Sequence, residues 1–197
     1  MRLDGRRIDR LPAAARARLG VSIAFQAVRL FRGLDVLENV MVGAQAWTAH
    51  GFVEAALRLP RHRREERAIR EEAERALEQV GLRALAKDDV ESLPLGHQRS
   101  LQVARALCGR PRLLLLDEPA SGLRSAEREQ LSRLLDALRA DGLTMLLVEH
   151  DVAFVTRLAD RVTVLAAGRV IKDGTPDDVR RDERVIAAYL GTASHGA

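Results

Sequence analysis

The stretch LLLLDEPASGL, residues 113–123, decides the fold of this chain. Its four consecutive leucines, which follow Gly109 and Pro111, are typical of a buried strand in a parallel sheet. Asp117 and Glu118 come directly after them, so their carboxylates are expected at the carboxyl edge, where open α/β sheets bind ligands. As a Walker B pattern, this arrangement predicts that Asp117 holds Mg²⁺ and that Glu118 orients or deprotonates the water that attacks a γ-phosphate. The alternative is a pair of acids that caps the next helix.

Apolar periodicity predicts alternating strands and helices along the rest of the chain. Strands are expected at 21–25, 113–116, 143–148, 161–165 and around 170–171, and helices at 36–47, 63–80, 98–108, 125–140, 152–158 and 175–190. Alternation of this kind is typical of a parallel sheet with crossover helices. The fold class is therefore expected to be α/β.

Polar side chains follow two other predicted strands. Gln26 ends the strand at 21–25, and Glu149-His150-Asp151 end the strand at 143–148. Because parallel strands share their carboxyl edge, we expect Gln26 and His150 beside the two acids. The Gln26 amide would reach Mg²⁺ or the attacking water, and His150 would donate a hydrogen bond as charge builds on the γ-phosphate. By itself, each of these residues is more often an ordinary surface residue.

Composition is that of a globular domain with a real core, since 47% of the 197 residues are hydrophobic. The longest aliphatic runs, 113–116 and 145–148, are much shorter than the roughly 18 residues that span a bilayer. The single cysteine, Cys108, has apolar neighbours, which predicts a buried thiol in a reducing cytoplasm. The net charge is +4, with nearly all of the positive charge on arginine, and it permits contact with nucleic acid or anionic lipid. No motif requires such contact, and we expect no nucleic-acid partner.

The chain resembles the ATP-binding subunits of ABC transporters. The stretch LPLGHQRSLQVARAL, residues 93–107, stands where that family has its signature motif, directly before the Walker B strand. The other landmarks occur in the family's order: Gln26 at the Q-loop, Asp117 and Glu118 at Walker B, residues 121–124 at the D-loop and His150 at the switch histidine. The resemblance implies a P-loop NTPase-like core with a parallel sheet and an inserted helical subdomain, in which ATP and Mg²⁺ are bound.

In the family, each ATP lies between the Walker motifs of one subunit and the signature of the other, in a head-to-tail dimer. The resemblance therefore implies nucleotide contacts from six signature and D-loop residues: Pro94, Leu95, Gly96, His97, Ser121 and Gly122. Both motifs depart from the family pattern. Many ABC proteins read Leu-Ser-Gly-Gly-Gln at the signature, and an Asp or Asn is common where this chain has Arg124.

Finer features resemble the branched-chain amino acid importer group. They are FQAVRLFRGLDVLENVMVG at 25–43, LRLPRHRREER at 57–67 and GTPDDVRRDERVIAAYLG at 174–191. The resemblance implies uptake of branched-chain or related amino acids at the cytoplasmic face of the plasma membrane, with two permease subunits and, indirectly, a solute-binding protein. It assigns 1–25 and 93–197 to the ATPase core and 26–92 to the Q-loop and helical subdomain. That subdomain is expected to dock a coupling helix of a permease through apolar residues near Phe31, Leu34 and Leu37.

A loop that cradles phosphates needs glycines, a lysine and a Ser or Thr. Neither lysine fits this pattern, because Lys87 follows Ala86 and Lys172 follows Ile171. We therefore expect an ATPase core that is incomplete at its N-terminus and has little ATPase activity of its own. One alternative is an interaction module that docks on a permease or a partner ATPase without holding nucleotide. Another is an ABC ATPase of DNA repair or translation, which only the basic charge suggests.

Overall fold

The computed structural model describes the backbone of residues 1–48 and 60–190, and the side chains of 1–48 and 64–189. Two units make up the chain, Met1–Leu146 and Leu147–Ala197. The helical subdomain that we expect at 26–92 lies inside the first unit, and its separation from the ATPase core stays a prediction. Within the described residues, no helix has the length and the apolar character that crossing a membrane requires.

The first unit contains most of the secondary structure. Its elements are β1 (Arg2–Leu3), β2 (Arg6–Arg7), α1 (Ala13–Arg18), β3 (Val21–Ala24), α2 (Val36–Met41), α3 (Pro60–Gln79), α4 (Leu95–Cys108), β4 (Leu113–Asp117), α5 (Ser125–Ala140) and the start of β5 (Thr144–Val148). Short 3₁₀ turns at Val42–Ala46, Arg83–Leu85 and Val90–Ser92 connect the helices.

The predicted parallel sheet is confirmed. Strands β3 and β4 pair in parallel, with Val21 opposite Leu113 and Ala24 opposite Leu116, and the strand order is β3-β4-β5. Gly20 fixes this register, since its carbonyl accepts hydrogen bonds from the N–H groups of both Arg112 and Leu113, at 2.8 and 3.0 Å. Only glycine suits this position, because its φ is +88° and a Cβ would lie 2.8 Å from the Arg112 side chain.

Helix α4 forms the centre of the core beside this sheet. Most of its buried side chains are apolar, and Cys108 at its end is 0% exposed, as the sequence predicts. Burial raises the pKa of the Cys108 thiol to about 12. The thiol is therefore protonated at neutral pH and acts as a small apolar side chain.

Helix α2 begins at a capping box, in which Asp35 accepts from the Glu38 N–H and Glu38 accepts from the Asp35 N–H. Its apolar face packs on α3, and Leu37 in that face is 2% exposed. The Leu37 side chain therefore belongs to the core, and the docking of a permease near Phe31, Leu34 and Leu37 stays a prediction. Phe31 is 47% exposed and remains available.

The second unit contains α6 (Val152–Leu158), β6 (Val162–Ala166), β7 (Arg169–Gly174), α7 (Pro176–Arg180), α8 (Glu183–Val185) and a π-helical turn, Ile186–Leu190. The expectation that the strand at 161–165 joins the parallel sheet is wrong: β6 pairs antiparallel with β7. Ala167 and Gly168 cause this, because both have positive φ, 47° and 75°, as a two-residue hairpin turn requires.

Two further features differ from the sequence-based expectation. Helix α4 begins at Leu95 rather than at 98, so Gly96 lies in its first turn, where glycine does not interrupt the hydrogen-bond pattern. The β1–β2 hairpin and α1 were not predicted. The turn Asp4-Gly5, with φ of 47° and 78°, is the local signal that identifies the hairpin.

Candidate nucleotide site

Gln26 and Glu118 meet at the carboxyl edge of the sheet, although 92 residues separate them. The Gln26 Nε2 donates a 2.6 Å hydrogen bond to Glu118 Oε2. Each residue lies just beyond its strand, and β3 and β4 are neighbours in register, which brings the two side chains together. This juxtaposition agrees with the edge expected from the sequence. Asp117, the last residue of β4, is half-buried beside Glu118.

Glu118 has an unusual backbone. Its φ is +43°, in the left-handed region that few residues other than glycine adopt. Strain of this kind costs roughly 1–3 kcal/mol and persists where the surrounding structure fixes it. Here the Ser121 N–H donates to the Glu118 carbonyl at 3.1 Å, which closes a tight turn after the strand. The turn directs the Glu118 carboxylate across to the neighbouring strand.

The loop after this turn carries Ser121 and Gly122 next to the start of α4. Gly122 has a φ of +77°, and a Cβ on it would lie 3.4 Å from Leu95 Cδ2, so the loop passes close to Leu95. Leu95 is 39% exposed despite its size. The predicted D-loop and signature residues of this chain therefore form one continuous surface.

Helix α4 presents its N-terminus at this surface. Pro94 is the N-cap and provides no side-chain hydrogen bond to the first turn, which contains Leu95, Gly96 and His97. The N–H groups of a first turn have no acceptor within the helix and bind anions well. His97 Nδ1 is buried and has no hydrogen-bond partner within the described part of the chain. A Cβ on Gly96 would lie 2.8 Å from Glu127 Oε1, so glycine lets α4 approach α5 closely here.

Arg99, which no sequence pattern predicts as part of the site, connects the Gln26 and Ser121 loops. It lies in α4 and is only 8% exposed. Its Nη1 donates to the Gln26 carbonyl, and its Nη2 donates to the Ser121 carbonyl at 3.1 Å. The sequence does not predict this role, because an arginine in the first turns of a helix is ordinarily exposed to solvent.

His150 belongs to the second unit, so its predicted approach to Asp117 and Glu118 stays a prediction. The imidazole is 68% exposed, and its Nδ1 lies 3.6 Å from Oε2 of Glu149, whose side chain is 1% exposed. The next residue, Asp151, caps α6 by accepting from the Phe154 N–H at 3.0 Å. The histidine therefore lies between a buried acid and the N-cap of a helix in the sequence, with most of its imidazole exposed.

The donor set at the sheet edge fits Mg²⁺ that arrives with a nucleotide. Carboxylate and amide oxygens are hard ligands, and Mg²⁺ is usually bound by one or two carboxylates together with phosphate oxygens and water. Within the described residues, no group of three acids, histidines or cysteines forms a self-sufficient metal site. Asp117 with the Oε1 of Gln26 would supply the protein's share of such a shell.

A parallel sheet with an acid pair at its carboxyl edge is typical of the α/β proteins that bind nucleotides at this edge. The chain belongs to the ABC transporter family, whose model matches residues 1–121. A second model, of the branched-chain amino acid ATP-binding cassette transporter, matches residues 169–195.

Relatives cover nearly the whole chain. It is 40% identical over 194 residues to the high-affinity branched-chain amino acid transport ATP-binding protein BraF of Pseudomonas aeruginosa, covering 98% of this chain and 76% of BraF. It is 38% identical over 192 residues to LivG of Escherichia coli, a protein of the same description, covering 97% of this chain and 75% of LivG. Among solved structures, cbiO1 from Clostridium perfringens, part of the ABC transporter complex cbiONQ, has a TM-score of 0.75 at 26% identity. That match covers 98% of this chain and 74% of cbiO1.

Proposed function

We propose that this chain is the ATP-binding subunit of an ABC importer and couples ATP hydrolysis to the uptake of branched-chain or related amino acids. The observation that carries the proposal is the 2.6 Å hydrogen bond between Gln26 and Glu118 at the sheet edge. It joins a Walker B acid to the residue at the Q-loop position. Similarity to BraF and LivG along almost the whole chain supports the choice of solute.

Glu118 is the general base in this proposal. Its carboxylate would take a proton from the water that attacks the γ-phosphate, while Gln26 holds it in place. Asp117 and Gln26 would hold Mg²⁺, which neutralises charge on the phosphate oxygens. His150 would donate a hydrogen bond to the γ-phosphate as negative charge develops there.

The signature would act on ATP held by a second, homologous subunit in a head-to-tail dimer. The first turn of α4, with Leu95, Gly96 and His97 after Pro94, would direct its N–H groups toward those phosphates. Ser121 and Gly122 in the adjoining loop would line the same interface. Two permease subunits would bind the chain at the cytoplasmic face of the plasma membrane, and a solute-binding protein would deliver the amino acid to them.

A second candidate is a docking module that supports transport without hydrolysing ATP. Its basis is the surface formed by the first turn of α4 and Gly122, which would contact nucleotide held by another subunit. In that case a partner ATPase performs the chemistry, and this chain contributes contacts to the permease and the signature surface of α4.

Uptake of radiolabelled leucine by the native host separates the two candidates. The gene is deleted and then restored as wild type, as Glu118→Gln, or as Glu78→Gln, which makes the same change at a surface acid whose side chain is 69% exposed. Loss of a general base lowers turnover by about a hundredfold or more, so Glu118→Gln is expected to reduce uptake to the level of the deletion. Wild-type uptake with Glu118→Gln, together with loss of uptake in the deletion, would instead support the docking module.

A further inference from the structure

One face of α4 carries three long hydrogen-bond donors at intervals of three residues. Their acceptors are main-chain carbonyls of the loop that follows β3, in the same order along the chain. Arg99 donates to the carbonyl of Gln26, Gln102 to that of Ala27 at 3.0 Å, and Arg105 to that of Arg29 at 2.6 Å. We call these three contacts the carbonyl ladder.

The carbonyl ladder replaces the hydrogen bonds that regular secondary structure would supply. Residues 25–34 form neither helix nor strand, so their backbone groups need other partners. Two of the donors are shielded from water: Arg99 is 8% exposed and Gln102 is 5% exposed. Because a buried donor without its acceptor is costly, the ladder fixes the loop on the helix. Arg105 reinforces it, since its guanidinium also lies 5.4 Å from the centre of the Phe31 ring.

Arg99 extends the ladder to the other strand. Its second nitrogen binds the Ser121 carbonyl at 3.1 Å, in the loop that begins with Glu118. One guanidinium therefore holds the backbone on both sides of the contact between Gln26 and Glu118. The planar fork of an arginine spans two carbonyls in this way, whereas a lysine offers a single charged nitrogen.

We propose that Arg99 is a positioning residue, which sets the separation of Gln26 and Glu118 through its two carbonyl contacts. This inference rests on the proposed function for its role in hydrolysis. The first turn of α4 lies directly before Arg99 on the same continuous helix. When that turn binds a phosphate and moves, the carbonyl ladder moves the Gln26 backbone with it. The distance between Gln26 and Glu118 therefore depends on whether the signature has bound a phosphate.

The side-chain amide signal of Gln26 in nuclear magnetic resonance tests the geometry without nucleotide. In the wild-type chain this signal is expected to shift on Glu118→Gln, because a charged acceptor becomes neutral. In Arg99→Met it is expected at the position of an exposed glutamine, and it should no longer respond to Glu118→Gln. Arg83→Met makes the same change at a surface arginine whose side chain is 52% exposed and is expected to leave the signal unchanged.

If Arg99→Met does not fold, the Gln26 amide signal is measured in Arg99→Lys and Gln102→Leu instead. Each removes part of the ladder and is expected to place the Gln26 signal between the wild-type and exposed positions. A folded variant of Arg99 with the wild-type signal and the wild-type response to Glu118→Gln would overturn the proposal. Leucine uptake adds a separate measurement: Arg99→Lys is expected to lower the maximal rate about tenfold or more at an unchanged half-saturating concentration. If Glu118→Gln leaves uptake intact while the resonance shifts occur as described, the proposed function fails and the positioning geometry stands.

Discussion

Glu118 occupies a backbone conformation that suits glycine better than a carboxylic acid. Its φ of +43° is left-handed, which costs a residue with a Cβ roughly 1–2 kcal/mol. The chain nevertheless has an acid here, and the acid reaches Gln26 on the neighbouring strand. Stability does not explain this choice of residue. The proposed role of Glu118 as general base would explain it, since strain that persists in a fold is commonly found at functional sites.

The strain can be measured by comparing two variants that both remove the carboxylate. Glu118→Gly is expected to be more stable than Glu118→Ala by about 1 kcal/mol, because only alanine keeps the unfavourable Cβ. Urea unfolding of the two variants gives this difference directly. Glu129, inside helix α5, supplies the control: there the alanine variant is expected to be the more stable by about 1 kcal/mol. The same order of stabilities at both positions would show that Glu118 is unstrained.

The sequence predicts part of this site and misses the rest. Gln26, Asp117 and Glu118 were predictable, because a polar residue directly after a buried strand must lie at the sheet edge. Arg99 was not, since its burial depends on two loops that are distant in sequence and come together only in the fold. The periodicity of a sequence predicts single helices and strands, whereas this contact joins a helix to the loops after two strands.

At the scale of elements, the C-terminal end of α4 packs closely on the 3₁₀ turn Val42–Ala46. The Trp47 Nε1 donates to the Cys108 carbonyl at 2.8 Å, and the Arg110 guanidinium lies 4.3 Å from the centre of the Trp47 ring. Gly43 permits this approach, because a Cβ there would lie only 1.9 Å from the Arg105 carbonyl oxygen. The candidate site lies at the N-terminal end of α4, and the contact with the 3₁₀ turn lies at its C-terminal end. A substitution that shifts the C-terminal end is therefore expected to shift the N-terminal end of the same helix.

Gly43→Ala is expected to destabilise the chain by about 2–4 kcal/mol, because backbone must move to admit the methyl group. Thermal unfolding followed by circular dichroism measures the loss. Gln45→Ala, an exposed position on the same turn, is the control and is expected to change stability by less than about 0.5 kcal/mol. If Gly43→Ala is as stable as that control, the close contact with Arg105 does not exist in solution.

Elements differ in how well the sequence predicts them. The bounds of α5 and α6 agree with the predicted 125–140 and 152–158, because clear apolar periodicity and local stop signals define both helices. For β6 the sequence predicts the wrong sheet, since the apolar pattern of a strand does not distinguish a parallel partner from an antiparallel one. Only the turn at Ala167 and Gly168 decides between them, through backbone angles that favour a hairpin.

The whole molecule consists of two units that differ in their aspartates with lowered pKa. Each unit contains one aromatic residue whose fluorescence can be followed separately. The only tryptophan, Trp47, lies in the first unit, and the only tyrosine, Tyr189, lies in the second, where its hydroxyl donates to the Leu165 carbonyl at 2.5 Å. In the second unit, hydrogen bonds from Arg161 and Arg184 lower the pKa of Asp173 and Asp182, respectively.

The pKa of Asp178 is also lowered, by hydrogen bonds from the Thr175 side chain and backbone. A carboxyl whose pKa is lower in the folded state stabilises the fold above its unfolded pKa and loses this contribution as the pH falls through the folded pKa. The first unit has Asp9 and Asp35 with the same direction of shift, spread over a much longer segment. Acid is therefore expected to weaken the second unit more strongly than the first.

Acid titration that follows the two reporters separately tests this difference. The Tyr189 signal is read in a Trp47→Phe background, which removes overlapping emission. As the pH falls below 3.8, the ordinary pKa of an aspartate, this signal is expected to change at a higher pH than the Trp47 signal of the wild type. Asp173→Asn with Asp182→Asn removes two of the shifted groups, so the Tyr189 transition of that variant is expected to depend less on pH, while the Trp47 transition stays where it was. Asp141→Asn, an exposed acid in the first unit, makes the same chemical change away from these ion pairs and serves as the control. Coincident Tyr189 and Trp47 transitions in the wild type would contradict the prediction and show that the two units unfold together.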